Sequence, residues 1–583
     1  MFNPTSYPTH TLPMEFTSRR SVVHSTKGIA GSTQPLATAV AIKLLDRGCN
    51  AAEAAVGCSA ALAVTEPAMT SLGDAFCINY DHSTGKVQGF NGSGKSSRNT
   101  DLKAVKEAVG KEREFLPLDS ALAVTVPGAA QAWIDIVEKF GTGKFTIGQI
   151  LAPAIELARN GFPVSEVMGA TWKRSEQKLA GSGLLVDGKR APEVGEIFKN
   201  EDLAKVLDRI AEHGRDGFYS GPTADAIVES IQSRGGLLDH EDLKLHKSLE
   251  VETISTPVAS TPVESAARLW ELPPNNHGIV AILAMNIINQ ITTKLHPELA
   301  NVEHNSFEYI HLITEAFKFA FKDAEHYVAD PETHGLPKEL LTEEYAFSRA
   351  QLFDPHKANQ SYEHGDVIPV EARSDTSYYA VVDKDGNACS MISSLYHAFG
   401  TGIVPNGLGF ALHNRGCNFS LDPESANALG PSKRPYHTII PAMLTNSDGS
   451  LLGPFGVMGG FMQPQGHIQV ALNLLKFKFD PQKCIDAPRI CLEPTSELRG
   501  GIPVPDPTAP PGSASVVVNL EEGISPRVGE QLQKMGHSIK FVSGAARALF
   551  GRGQLITRDV QKGRAAVHAG SDPRGDGCAI PQI

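Results

Sequence analysis

The chain has 583 residues, 41% hydrophobic and 20% charged, which is ample for a large core and, at roughly 100 to 200 residues per domain, leaves room for several domains without requiring them. Its 65 acidic and 53 basic residues give a net charge of −12, which argues against nucleic acid or an anionic membrane as partner, because both demand clustered Lys and Arg. The eight cysteines are scattered, with no CxxC pair and no Cys/His cluster at zinc spacing, so free and mostly buried thiols are expected, with no metal and no cofactor.

The first residues, MFNPTSYPTHTLPMEFTSRR, lack the apolar core of a signal peptide, and Lys43, Asp46, Arg47 and Glu53 interrupt the most apolar early stretch, Leu36 to Val64. A cytoplasmic protein without a membrane span is expected. From Pro35 to Pro67 the Ala-rich text has helical spacing and predicts two packed helices, with Gly48 as a C′ residue of the first and Asn50 as the N-cap of the second. Short strands follow at Asp74 to Tyr80 and Lys86 to Phe90, then helices at about Ala129 to Phe140, Thr146 to Asn160, Leu203 to His213 and Ala224 to Ser233. Two longer helical patterns, Gly278 to Gln290 and Phe307 to Tyr327, have apolar faces wide enough to cover a sheet.

From Phe353 to Asp375 the sequence turns polar and reads as an exposed processing segment or loop. It ends where a hairpin begins. Thr376 to Val382 alternates as a strand, Asp383-Lys384-Asp385-Gly386-Asn387 is a turn, and Ala388 to Leu395 is a second β-rich run. Beyond it come one helix after Pro464, a Pro-rich loop from Ile502 to Pro511, a helix near Arg527 to Lys534, and strands at Ser515 to Leu520, Ser538 to Val542 and Ala565 to His568. Helices in the first half and strands around Thr376 predict layered α/β packing, with a two-sheet centre covered by helices.

Two chemistries compete. Gly89-Phe90-Asn91-Gly92-Ser93-Gly94-Lys95-Ser96 satisfies GxxxxGK[ST], the phosphate-cradling loop, and Asp383 at a strand end would supply the acid that holds Mg²⁺, so a nucleotide hydrolase is one alternative. The residues before it, Gly85-Lys86-Val87-Gln88, are a poor buried strand, and an ordinary Gly-rich turn explains the same text. No GxSxG elbow and no HExxH is present. The other chemistry starts at the hairpin edge. If the bond from Asp375 to Thr376 is cut, Thr376 carries both a nucleophilic hydroxyl and a free α-amine, whose pKa of about 8 makes it a usable base at neutral pH. A structural Thr at a strand start accounts for the same residue, as in a processed but inactive binding protein.

A resemblance favours the second chemistry. Thr376-Ser377-Tyr378-Tyr379-Ala380-Val381-Val382-Asp383, Gly386-Asn387 and Phe399-Gly400-Thr401-Gly402-Ile403 resemble the cleavage site and nucleophile strand of the γ-glutamyltransferase family of N-terminal nucleophile hydrolases. Glu66-Pro67, Gly73-Asp74-Ala75-Phe76, Val126-Pro127-Gly128, Gly430-Pro431-Ser432-Lys433-Arg434-Pro435 and Met458-Gly459-Gly460 extend the likeness over about residues 28 to 575. The resemblance implies a four-layer αββα sandwich, self-cleaved into a large subunit, 1 to 375, and a small catalytic subunit, 376 to 583. The two fragments would form a heterodimer, with a higher oligomer left open.

By the same resemblance Thr376 is the nucleophile, Ser394 its hydrogen-bonding partner, and the amides of Gly459 and Gly460 the oxyanion hole. The substrate pocket departs from the γ-glutamyl pattern: Asn91 stands for an Arg, Tyr396, Arg415 and Asn418 stand for the Asn, Gln and Asp that receive an α-amino group, and His437 and Thr438 stand for paired serines. An acid is lost and a cation gained, which favours a small-molecule acid without the amino group. Ser394-Leu395-Tyr396-His397 and Asn414-Arg415-Gly416 are similar to a divergent branch that includes oxamate amidohydrolase. The expected activity is hydrolysis of an amide of a small, oxamate-like acid, with a true γ-glutamyltransferase or glutathione hydrolase as the alternative.

Overall fold

The computed structural model describes residues 20–258, 267–359, 375–494, 497–499, 502–504, 516–561 and 563–583. The processing segment expected before Asp375 falls mostly on 360–374, and the Pro-rich loop on 505–515, so both lie largely outside the described residues.

The two Ala-rich helices form as the sequence predicts. Pro35–Arg47 ends on Gly48, whose φ of 99° is left-handed. Ala51–Thr65 opens with a capping box between Asn50 and Glu53. Every residue of this second helix is buried, which its Ala, Gly, Ser and Cys residues permit because small side chains let a helix lie close to its neighbours on all sides.

Two seven-stranded sheets organise the chain. The central strands of one are Asp375–Val382 and Ala388–Tyr396, flanked by Ile29–Ser32 and Asp74–Asp81. The other is built around Leu451–Met458, paired with Ala442–Thr445 and Arg552–Gln561. The alternation of the hairpin strand decides what each face touches. Tyr378, Ala380 and Val382 join Met443, Met458 and Ile556 in a core between the sheets, whereas Tyr379 and Val381 join the core of the Ala-rich helices. The sheets come close because Gly456 lies against the Tyr378 ring, where a Cβ would fall 2.4 Å from a ring carbon. A third core packs the helices Gly278–Gln290, Phe307–Tyr327 and Met462–Leu475 together. Gly278–Leu295 is long and apolar enough to cross a bilayer by length and composition, and most of it is buried in this core.

All eight cysteines are free, and seven are buried. The nucleotide-binding alternative does not survive. Lys86–Gly92 is a strand that takes up the first half of the glycine-rich text, no helix follows until Leu102–Val109, and Lys95 Nζ lies 2.5 Å from Glu332. Gly94 is a glycine because backbone crosses there: a Cβ would sit 1.6 Å from Val126 O. Asp383 accepts from Ala51 N at 3.1 Å, at the start of the second helix, and closes its own turn instead of facing a phosphate.

Candidate active site

Thr376 opens the hairpin at an irregularity. Pairing between the strands slips between Asp375 and Thr376, and a bulge of this kind re-aims the side chains that follow it. Thr376 is wholly buried, opposite Ser394, and its Oγ1 donates to Ser394 Oγ at 3.0 Å. Ser394 Oγ also accepts from Tyr396 N at 2.8 Å and from Arg415 Nη2 at 3.0 Å. On the opposite face of the strand, Ser377 Oγ donates to Glu66, whose carboxyl burial pushes up.

Arg415 is the centre of this set. It is fully buried, its Nη1 donates to Thr438 Oγ1 at 2.7 Å, and its guanidinium lies 4.5 Å from the centroid of the Tyr396 ring. Tyr396 reaches that position with a φ of 77°, an uncommon conformation for a bulky residue. Burial lowers Arg415 to about 10, so it remains a cation at neutral pH.

A counter-charge lies beneath it. Asp74, fully buried, accepts from Gly94 N at 3.1 Å and Gly128 N at 3.2 Å through Oδ1, while Oδ2 faces His437 Nε2 at 2.9 Å and His413 Nδ1 at 3.6 Å. Burial alone would push this carboxyl up, but His413, His437 and Arg415 outweigh it and hold Asp74 down at about 2. Burial drives His437 down to about 3, so that ring is neutral at neutral pH; burial also lowers His413, against the pull of Asp74, and Arg415 is a cation set against the same carboxylate.

The residues singled out from the sequence therefore fall into four groups. Thr376, Ser394, Tyr396, Arg415 and Thr438 form one connected set, which His437 joins through Asp74. Asn418 Nδ2 donates to Tyr436 O at 2.9 Å, and Asn91 belongs to a separate amide cluster, donating to Asn275 Oδ1 at 2.7 Å and accepting from Ser93. Gly459 and Gly460 form the turn between Leu451–Met458 and the helix Met462–Leu475, with φ of 133° and 57°. Both angles favour glycine, and backbone of this kind can present N–H groups to a ligand. A cavity of about 520 Å³, within the range of small-molecule sites, adjoins this region and is lined by Asn418, Tyr436, Phe461 and Phe321. Asp74 is a site residue that the sequence does not single out. There Asp74 opens a short strand and stands in the string Gly73-Asp74-Ala75-Phe76, and an acid at a strand start carries no signal of the cation it will meet.

Among the described residues, His311, Glu315 and His537 are the set of metal-ligand types whose ligand atoms all lie within 4.8 Å of one another. Lys318 Nζ and Asn359 N occupy the two oxygens of Glu315, and the two rings face each other at 2.8 Å.

Residues 37–582 match the model of the family described as gamma-glutamyltranspeptidase. The chain belongs to the γ-glutamyltranspeptidase family. It is 34% identical to the glutathione hydrolase-like YwrD proenzyme of Bacillus subtilis over 96% of this chain and 99% of that one. It is 29% identical to the oxamate amidohydrolase proenzyme of Klebsiella pneumoniae over 95% and 98% of the two chains. A crystal structure of cephalosporin acylase from Bacillus halodurans matches it with a TM-score of 0.82 and 35% identity, covering 100% of this chain and 99% of that one. As a γ-glutamyltranspeptidase-family member, the protein is an enzyme of the hydrolase and acylase type, with a mixed α/β fold shared with that acylase.

Proposed function

We propose that the protein is a self-processing amidohydrolase with the αββα architecture of the N-terminal nucleophile hydrolases, cut between Asp375 and Thr376 and acting on an amide of a small carboxylic acid. The observation that carries this reading is the chain of contacts from Thr376 through Ser394 to the buried cation Arg415. The α-amine released at Thr376 takes the hydroxyl proton as Oγ1 attacks the substrate carbonyl. The Gly459 and Gly460 amides stabilise the oxyanion, an effect worth about 3 kcal/mol per donor. As the C–N bond breaks, the ammonium returns the proton to the departing amine, leaving an ester on Thr376. Water, deprotonated by the same amine, opens the ester and releases the acid.

Arg415 favours an acyl group bearing a carboxylate, and it pairs better with an acid that has no α-ammonium group. Asp74 is not an ammonium site, because its oxygens already face two backbone amides and two imidazoles. Oxamate-like amides therefore fit the site better than γ-glutamyl compounds. The two fragments remain together as a heterodimer in the cytoplasm.

Denaturing electrophoresis of purified enzyme is expected to show two fragments, the smaller beginning at Thr376, and Thr376→Ala is expected to remain a single chain without activity. An active, uncut chain would refute the mechanism. Assay of oxamate, glutaramate, glutathione and a γ-glutamyl anilide tests the substrate, and efficient γ-glutamyl turnover would refute the assignment to acids without an amino group.

A further inference from the structure

The helix Met462–Leu475 carries three buried glutamines near its start, and two of them are fully used. Gln465 accepts from Leu492 N at 2.8 Å and donates to Phe461 O at 2.9 Å. Gln469 accepts from Ile490 N at 2.8 Å and donates to Gln465 O at 2.9 Å. Gln463 differs. Its backbone N–H donates to Gly460 O at 3.1 Å, closing the glycine turn, and its Oε1 accepts from Ile440 N at 2.8 Å. That N–H fixes which end of the carboxamide is oxygen, so the other end is the NH₂ group. Its Nε2 is buried and has no hydrogen-bond partner among the described residues.

Arg415 Nε is in the same condition, buried and without a partner among the described residues. Both side chains are tied to one short segment, Arg415 through Thr438 Oγ1 and Gln463 through Ile440 N. Two side chains with an unused donor are thus anchored two residues apart, at Thr438 and Ile440. An unmade buried hydrogen bond is costly, and a ligand oxygen that completes it recovers the cost.

We propose that Gln463 is a specificity-determining residue whose Nε2–H, with Arg415 Nε–H, receives the carboxylate of the substrate's acyl group. The inference rests on the amidohydrolase reading. Its ligand class is the monoamide of a dicarboxylic acid without an ammonium group, since a guanidinium and a carboxamide NH₂ offer only donors there and an ammonium would bring more donors to them.

Gln463→Glu is the decisive substitution. It keeps an oxygen for Ile440 N, and therefore the turn, but replaces the donor with an acceptor. Calorimetric titration of self-cleaved wild type and variant with glutarate and with L-glutamate compares two acids that differ only in the ammonium group. The expected result is at least a tenfold loss of glutarate affinity with a smaller loss, or a gain, for L-glutamate. If the ratio of the two affinities stays within twofold of wild type, or wild type binds no glutarate, Gln463 is not the donor. Should Gln463→Glu fail to fold, Gln463→Met, which removes the donor without adding charge, is expected to lower glutarate affinity more than L-glutamate affinity, and equal losses would overturn the inference. Wild type that binds glutarate but hydrolyses no amide sinks the amidohydrolase reading and leaves the donor role standing. Turnover with an unchanged ratio does the reverse.

Discussion

Asp74 holds a full negative charge in the interior, and the cost of that burial is offset by two backbone N–H groups, His437 and the cation Arg415. Its folded value of about 2 lies below the ordinary 3.8, so the carboxylate contributes stability that is present above pH 4 and is lost as pH falls through 2. Asp74→Asn is therefore expected to lower stability at pH 7 and to flatten the dependence between pH 4 and 2, measured by urea unfolding at pH 7 and across that range. Equal stability at pH 7 would mean that Arg415 does not depend on this charge. The same pair marks a limit of reading residues one by one. Arg415 was legible as a gained cation because a motif position carried it, whereas Asp74, 341 places earlier in the chain, becomes its counter-charge only when the hairpin sheet brings Asp74 opposite Ser394.

At the scale of elements, the hairpin strand works because its two faces have different partners. Tyr378 points between the sheets and Tyr379 toward Ser59 and Ser393, an alternation that period-two patterning anticipates. The partner strand Leu451–Met458 is harder to read, since LLGPFGVM places two glycines and a proline where strand formers are expected. Its glycines answer to neighbours instead of to propensity: Gly456 leaves room for the Tyr378 ring and Gly453 for Ile556 O. Gly456→Ala would drive a methyl to 2.4 Å from that ring and push the sheets apart two residues from Thr376. Overpacking of this kind costs about 1 to 3 kcal/mol, so a lower melting temperature with slowed self-cleavage is expected, followed by calorimetry and electrophoresis. A variant that melts and matures like wild type would show that the sheets tolerate separation there.

Over the whole molecule, burial of neutral imidazoles sets the response to acid. His246, His397, His437 and His467 are each lowered to about 3 by burial, and His537 to about 2. Each takes up a proton near pH 6.5 when unfolded but not when folded, so the unfolded state binds more protons between pH 6.5 and 3 and stability falls with pH across that window. Melting temperature is expected to decline steadily from pH 6.5 downward, and a flat profile to pH 4 would contradict the burial of these rings as neutral groups. By itself the sequence determined the two Ala-rich helices with their caps, the hairpin with Thr376 at its edge, and the family, because these rest on local periodicity, turn chemistry and contiguous motifs. Only the tertiary structure decided that the glycine-rich text from Gly89 to Ser96 is a strand and a tight backbone crossing. It also decided that Arg415 is balanced by Asp74, and that Gln463 keeps a donor in reserve beside the glycine turn. Close approach, buried charge balance and unmet hydrogen bonds arise between residues tens to hundreds of positions apart, and no local pattern in the chain encodes them.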